Sequence, residues 1–141
     1  MESRVLDAMY WGFRYPDKMG INIRVETIAA RRGFALPQGG KCVVVLEGFF
    51  EWQGELRKPH LARRKNNEPL FLAGIHRVSE GLRQVVILTM PPTAKISWLH
   101  NRQPCFLNSS KAIDAWLDPT VPLDVSINQL GLEEEEDLII H

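Results

Sequence analysis

A single carboxylate, Glu51, sits among aromatic residues in Gly48-Phe49-Phe50-Glu51-Trp52, directly after the apolar run Cys42-Val43-Val44-Val45-Leu46. Side chains alternate along an extended chain, so Phe49 and Glu51 share one face while Phe50 and Trp52 share the other. Partial loss of water disfavours the ionised carboxylate and raises its pKa towards neutrality, where a carboxyl group both donates and accepts protons. The same pattern also describes an edge-strand glutamate that reaches solvent or a nearby arginine.

Three further segments place polar groups in apolar or turn-rich surroundings. In Leu99-His100-Asn101-Arg102-Gln103-Pro104, an extended backbone directs His100 and Arg102 to one side. An imidazole exchanges protons near neutral pH and a guanidinium grips a phosphate with two parallel donors, a pairing suited to an anionic ligand. The stretch Ile21-Asn22-Ile23-Arg24-Val25-Glu26-Thr27 alternates apolar and polar residues and aligns Asn22, Arg24 and Glu26, as ordinary amphipathic strands also do. Tyr10-Trp11-Gly12-Phe13 offers aromatic faces that either stack on bases or anchor a core. The histidines His60, His76, His100 and His141 lack ligand-like spacing, and Cys42 and Cys105 have no second pair, so no metal site or other cofactor is expected.

The elements that would hold these residues are mostly strands. Short apolar runs at Tyr10–Phe13, Cys42–Leu46, Phe49–Trp52, Leu70–Ala73, Val85–Leu88, Cys105–Leu107 and Leu123–Ser126 have strand length and β-branched content. Arg4 to Tyr10 reads as a short strand leading into Trp11. Turn residues at Pro37-Gln38-Gly39-Gly40, Asn66-Asn67-Glu68-Pro69 and Ser79-Glu80-Gly81 separate the runs and favour hairpins. Helical pattern is confined to Glu26–Arg32, Pro92–Leu99 and Ser110–Leu117. The last has a serine cap at 109 or 110, an Ile113, Trp116, Leu117 stripe and a stop at Pro119. The fold class is α+β and β-rich.

At 141 residues the chain is long enough for one self-sufficient core. No run of 18 apolar residues and no secretory leader is present, so an intracellular protein without a membrane span is expected, with both cysteines reduced in the core. The zero net charge is uneven. Glu133 to Asp137 holds five acids, and residues 1–132 carry 17 bases against 12 acids, a net +5. That body attracts polyanions weakly, as many plain surfaces do. The expected layout is a domain over 1–132 and an acidic tail over 133–141, solvated or folded back over a basic groove.

Taken in order, Trp11-Gly12-Phe13, Asn22 to Thr27, Cys42 with Gly48 to Trp52, Ala73-Gly74-Ile75, Ile87-Leu88-Thr89, His100 to Pro104 and Trp116-Leu117-Asp118 resemble the successive motifs of the SRAP (SOS response-associated peptidase) family. The resemblance spans about residues 5 to 126, and ordered agreement of several motifs is more specific than any one of them. It implies an open, barrel-like β fold with short flanking helices. The implied role is in the DNA damage response, sensing abasic sites in single-stranded DNA, as a monomer in the nucleus or the bacterial cytoplasm. In the family, an N-terminal cysteine exposed by removal of the initiator methionine attacks the ring-opened sugar aldehyde with its α-amine, and its thiol closes a thiazolidine crosslink. The resemblance assigns proton transfer to Glu51 and His100 and the holding of the amine or ring to Asn22. It assigns flanking phosphates to Arg24 and Arg102, and apolar faces near the bases to Trp11 and Trp52.

The family begins Met-Cys-Gly-Arg with a longer segment before its Trp-Gly motif, whereas this chain begins Met1-Glu2-Ser3-Arg4. The nucleophilic cysteine is therefore expected to be absent, through a shortened copy, an isoform, a misassigned start or a genuine loss. Neither Cys42 nor Cys105 replaces it, because thiazolidine closure needs amine and thiol on one residue. Asn101 and Gln103 stand where the family usually has Asp and Met, Phe50 where it has Tyr, and Val45-Leu46-Glu47 where it has Pro-Ala-Asp. Two alternatives stand beside lesion sensing: a non-catalytic single-strand binding or scaffold module, and a cysteine-type peptidase that processes its own N-terminus. A zinc hydrolase has the least support.

Overall fold

The computed structural model describes residues 4–30, 39–55, 57–131 and 137–141. In chain order the elements are β1 (Tyr10–Trp11), β2 (Phe13–Arg14), β3 (Met19–Gly20), β4 (Asn22–Arg24), α1 (Val25–Ala30), β5 (Gly39–Leu46), β6 (Gly48–Gln53) and β7 (Lys58–Arg64). There follow β8 (Leu70–Ser79), β9 (Leu82–Met90), β10 (Gln103–Pro104), α2 (Ser110–Leu117), α3 (Leu123–Asn128) and β11 (Leu138–Ile140).

Strand β9 organises the larger sheet. On one side it pairs in parallel first with β1, Trp11 opposite Val85, and then with β4, Arg24 opposite Thr89. Along the other side runs antiparallel β8, from Ser79 opposite Leu82 to Gly74 opposite Ile87. Beyond that point β10 takes over, Pro104 opposite Thr89, because the chain around Cys105 wedges between β8 and β9. Cys105 donates its amide to Leu88 O at 2.9 Å and accepts from Ala73 N at 2.9 Å. Strand β5 closes the far edge against β8. The β8–β9 hairpin turns on Glu80 and Gly81, both at positive φ (52° and 77°), as a two-residue loop whose twist matches its strands requires.

Alternation of side chains divides the core into two layers on opposite faces of this sheet. Ala73, Ile75, Val86 and Leu88 face the helices, with Ile28 of α1, Trp116 of α2 and Ile127 of α3. Leu70, Leu72 and the partly buried Ile87 face the smaller sheet β11-β7-β6, meeting Ala62, Phe49 and Leu138. Burial of these side chains at roughly 25 cal/mol per Å² of apolar surface drives the stacking. Trp116 also donates its indole N–H to Cys42 O at 2.8 Å, tying α2 to β5. Among the described residues the sheets do not close into a barrel.

Several elements differ from the sequence expectation for identifiable reasons. Leu123–Ser126, expected as a strand, begins α3, since Leu123, Ile127 and Leu130 recur at helical spacing and pack on the core. Pro92–Leu99 is not a helix but a series of turns pinned by buried Ile96 and Leu99, with Ser97 N donating to Thr93 O and His100 N to Ile96 O. The strand through Ile21 stops at Arg24, where α1 begins, so Glu26 leaves the alternation of Asn22 and Arg24. The expected helix over Glu26–Arg32 is observed as Val25–Ala30, and Arg31 and Arg32 lie outside the described residues. Residues 4–9 form no strand. Gly12, at φ 123°, breaks Tyr10–Phe13 into β1 and β2.

Helix α2 spans the expected residues, with Ser109 Oγ accepting from Ala112 N at 3.0 Å. Of the acidic stretch, Glu133–Glu136 lie outside the described residues. The chain beyond them is no solvated tail: Leu138–Ile140 forms β11 on β7, and Leu138 is buried. Among the described residues no helix is long and apolar enough to cross a membrane, and no group of three His, Cys, Asp or Glu residues is arranged to hold a metal ion.

Candidate functional site

Glu51 is carried by β6, whose entry depends on Gly48. A Cβ there would lie 2.8 Å from Ala62 O of the paired strand, so only glycine admits this approach of backbones. Opposite Glu51 on β7 stands His60. The alternation along β6 is as the sequence suggests: Phe49 packs inwards, Glu51 is partly covered, and Phe50 and Trp52 are exposed on the other face.

His100 arrives from the pinned turns after β9. Its Nδ1 lies 3.1 Å from the Arg102 amide and accepts from it when the proton of the neutral ring is on Nε2. That atom stands 3.5 Å from Glu51 Oε1. The separation exceeds a direct hydrogen bond, as catalytic contacts often do before ligand enters. Arg102 O also lies 3.1 Å from Nδ1, so a protonated ring has an acceptor on the same side. Both protonation states of His100 are thus accommodated without moving the ring. The carboxylate comes from the smaller sheet and the imidazole from the approach to β10 in the larger, with side chains 26% and 37% exposed.

Arg102 meets His100 through its backbone, and its guanidinium is engaged elsewhere. Nη1 and Nη2 reach the two carboxylate oxygens of Glu26 at 2.9 and 3.2 Å, and Nη2 also donates to Thr89 O at 2.9 Å. Arg24 and Asn22 are exposed residues of β4, and Asn22 makes no hydrogen bond to Glu51 or His100 among the described residues. Trp11 is half exposed and fixed by its indole N–H to Ile21 O at 3.0 Å, one residue before Asn22. The structure therefore brings Glu51 and His100 together, turns the Arg102 guanidinium to Glu26 and Thr89, and sets Asn22, Arg24 and Trp11 on β4 and β1 along the same side of β9.

A cleft of about 620 Å³ opens at the Glu51–His100 pair, lined also by Trp52, Gln53, Arg57, Trp98 and Asn101. Sequence reasoning missed Trp98, Gln53 and Arg57. The only signal for Trp98 was a tryptophan in a Pro- and Ser-containing stretch, two residues before a histidine.

Both cysteine thiols are held in the neutral form by burial, Cys42 pushed up to about 11 and Cys105 to about 12. Thiolates attack and bind metals, so neither is poised as a nucleophile near neutral pH. Lys41 is drawn the other way. Burial lowers its pKa, and its ammonium donates to Asp118 O, Val121 O and Ser126 Oγ at 2.8 to 3.0 Å, a clasp between β5 and the α2–α3 region.

Comparison with known proteins identifies the family of the chain. The chain is 31% identical over 122 residues to the abasic site processing protein YedK of Escherichia coli, covering 79% of this chain and 54% of that protein. It is 29% identical over 154 residues to the abasic site processing protein HMCES of Gallus gallus, covering 82% and 46%. It is 26% identical over 132 residues to the abasic site processing protein YMR114C of Saccharomyces cerevisiae, covering 83% and 36%. The chain thus spans about a third to a half of the length of these relatives. Among solved structures, a protein from Bacteroides thetaiotaomicron superposes with a TM-score of 0.70 at 21% identity, over 86% of this chain and 57% of that one. A Bordetella bronchiseptica protein gives 0.70 at 19% identity, over 94% and 72%. At these identities the likeness concerns the fold. The family described as SOS response associated peptidase (SRAP) matches residues 1–140, and the chain belongs to it.

Proposed function

We propose that this chain binds single-stranded DNA at abasic sites and serves in the DNA damage response, as a monomer in the nucleus or the bacterial cytoplasm, with Glu51 and His100 as its proton-transfer pair. The observation that carries the reading is the approach of His100 Nε2 to Glu51 Oε1 at 3.5 Å in the lining of a cleft. The ring-opened sugar of an abasic site presents an aldehyde. An amine adds to its carbon to give a carbinolamine, and loss of water leaves an imine. The departing hydroxyl takes a proton from the pair, and the nitrogen gives one up to it, so a carboxylate and an imidazole facing one cleft suffice for both transfers. Asn22 orients the amine or the open ring.

Closure to a thiazolidine needs an α-amine and a thiol on one residue. Cys42 and Cys105 are internal and buried as neutral thiols, so that step requires a cysteine placed at an N-terminus. Arg24, exposed on β4, takes a flanking phosphate, and Trp11 and Trp52 supply apolar faces beside the bases. Arg102 reaches a phosphate by exchanging it for Glu26. The names of the three relatives support abasic DNA as the ligand.

The test compares binding of the chain to single-stranded oligonucleotides with and without one abasic site. The chain fused behind an N-terminal cysteine is then assayed for a heat-stable adduct. Preferential binding to the lesion and an adduct slowed by Glu51→Gln are expected. Equal affinity for both oligonucleotides overturns lesion recognition, and no adduct from the cysteine-bearing form overturns the proton-transfer role. A second reading, a non-catalytic single-strand binding module, is favoured by the exposure of Arg24 and Trp11. It predicts lesion-independent binding that is weakened by salt.

A further inference from the structure

We propose that Trp98 is a stacking platform for the base next to the abasic site, making the cleft beside Glu51 and His100 a subsite for the flanking nucleotide. The inference rests on the reading of the preceding subsection.

Trp98 is presented outwards by its own turn. Ile96 and Leu99 on either side of it are 4% and 3% exposed and anchor the backbone in the core, whereas Trp98 is 49% exposed. Trp98 lines the cleft at Glu51 and His100, and tryptophan is enriched among the residues that dominate binding surfaces.

Its ring is fixed before any ligand arrives. The indole N–H donates to Lys95 O at 2.8 Å, and the ring stands perpendicular to that of His60 with centroids 5.1 Å apart. Its backbone carbonyl accepts from Gln53 Nε2 at 3.2 Å. An aromatic group held in this way loses little further freedom when a planar partner covers it.

The cleft carries the groups that one nucleotide needs. Arg57 supplies a cation for a phosphate, and Gln53 and Asn101 supply amide donors and acceptors for a base edge. Its volume of about 620 Å³ falls within the range of small-ligand sites. Glu51 and His100 line the same cleft, so a base on Trp98 is a neighbour of the sugar at the reacting pair. A lesion without a base offers nothing to stack, and affinity has to be collected from the nucleotide beside it. Stacking on an aromatic side chain provides that with little regard for which base is present.

The test uses the whole chain with two single-stranded oligonucleotides. One has the abasic site between adenines, and in the other the flanking nucleotides are tetrahydrofuran spacers that also lack bases. Trp98→Ala is expected to weaken binding about 5- to 50-fold on the first and to leave the second unchanged. Trp98→Phe, which keeps a ring in the turn, is expected to retain most of the affinity. Equal losses on both oligonucleotides for the alanine variant assign Trp98 to the support of His60 and its turn, and overturn the subsite while lesion binding stands. A parent chain that does not prefer abasic to intact DNA overturns the functional reading itself and the subsite with it.

Discussion

Arg102 and Glu26 meet across the end of β9 as a two-pronged ion pair, with Nη1 and Nη2 of the guanidinium facing the two carboxylate oxygens. The pair exists because β4 and β10 both register on Thr89, one parallel and one antiparallel, and each delivers a charged residue just beyond that point. Arg102 also caps Thr89 O.

Arg102 and Arg24 should therefore behave differently when shortened. Arg102→Ala leaves Thr89 O without that donor, and a loss of about 1.5–3 kcal/mol in urea melts is expected. Arg24 is exposed, so Arg24→Ala should stay within about 0.5 kcal/mol of the parent. The same Arg24 variant should lower the salt slope of DNA binding by about one.

Exchange of Glu51 for Gln keeps its shape and removes its proton chemistry. Affinity for abasic single strands should change less than about twofold while adduct formation by the cysteine-bearing form slows by about 100-fold or more. His100→Gln should do the same. Quench-flow or gel time courses at saturating DNA separate the two quantities, and unchanged rates would leave the pair a structural role only.

Gly48→Ala tests the close approach of β6 and β7. Its Cβ would press on Ala62 O at 2.8 Å, which is backbone and yields only if the strands part. A destabilisation of about 1–3 kcal/mol is expected. Because β6 carries Glu51, the adduct rate should fall by more than DNA affinity does.

Leu138 tests whether the end of the chain is structural. It is 4% exposed and belongs to the core between the sheets. Leu138→Ala should cost about 2–5 kcal/mol in equilibrium unfolding, whereas a free tail would lose nothing.

Stability should decline at both ends of the pH range. Burial lowers the pKa of His76 from 6.5, so the unfolded chain takes up its proton first. The stabilisation present above that value is lost as pH falls through the lower folded value, and His76→Gln should flatten this arm. Cys42 and Cys105 are raised from 9.0 to about 11 and about 12, so their stabilisation is intact below 9.0 and is lost as pH rises through those folded values. Urea melts between about pH 5 and about pH 11 measure both arms.

Local pattern made part of this legible. Alternation in Gly48–Trp52 separated Glu51 from Trp52, and a serine before an i, i+3, i+4 stripe located α2 with its cap. Readings that depended on partners far along the chain were hidden. Nothing near Glu26 announces Arg102, 76 residues on, because their meeting follows from two registers on one strand. The exposure of Trp98 depends on which of its neighbours the core claims, and α3 was too short an apolar run to separate helix from strand. Leu138–Ile140 was masked by the acidic run before it, although three apolar residues after such a run are a reason for the chain to return.

Glu51 belongs to the smaller sheet and His100 to the turns that lead into β10 of the larger one, and the two sheets are joined by a core that includes Phe49 and Phe106, with ring centroids 6.2 Å apart. The Glu51–His100 pair is thus a seam between two bodies. A fluctuation that parts the smaller sheet from the larger would separate acid from base while the helices and β9 remain in place. Catalytic competence would then disappear at gentler denaturation than the bulk of the fold, and ligand seated across the seam would act as a suture, raising the stability of the smaller sheet more than that of the larger.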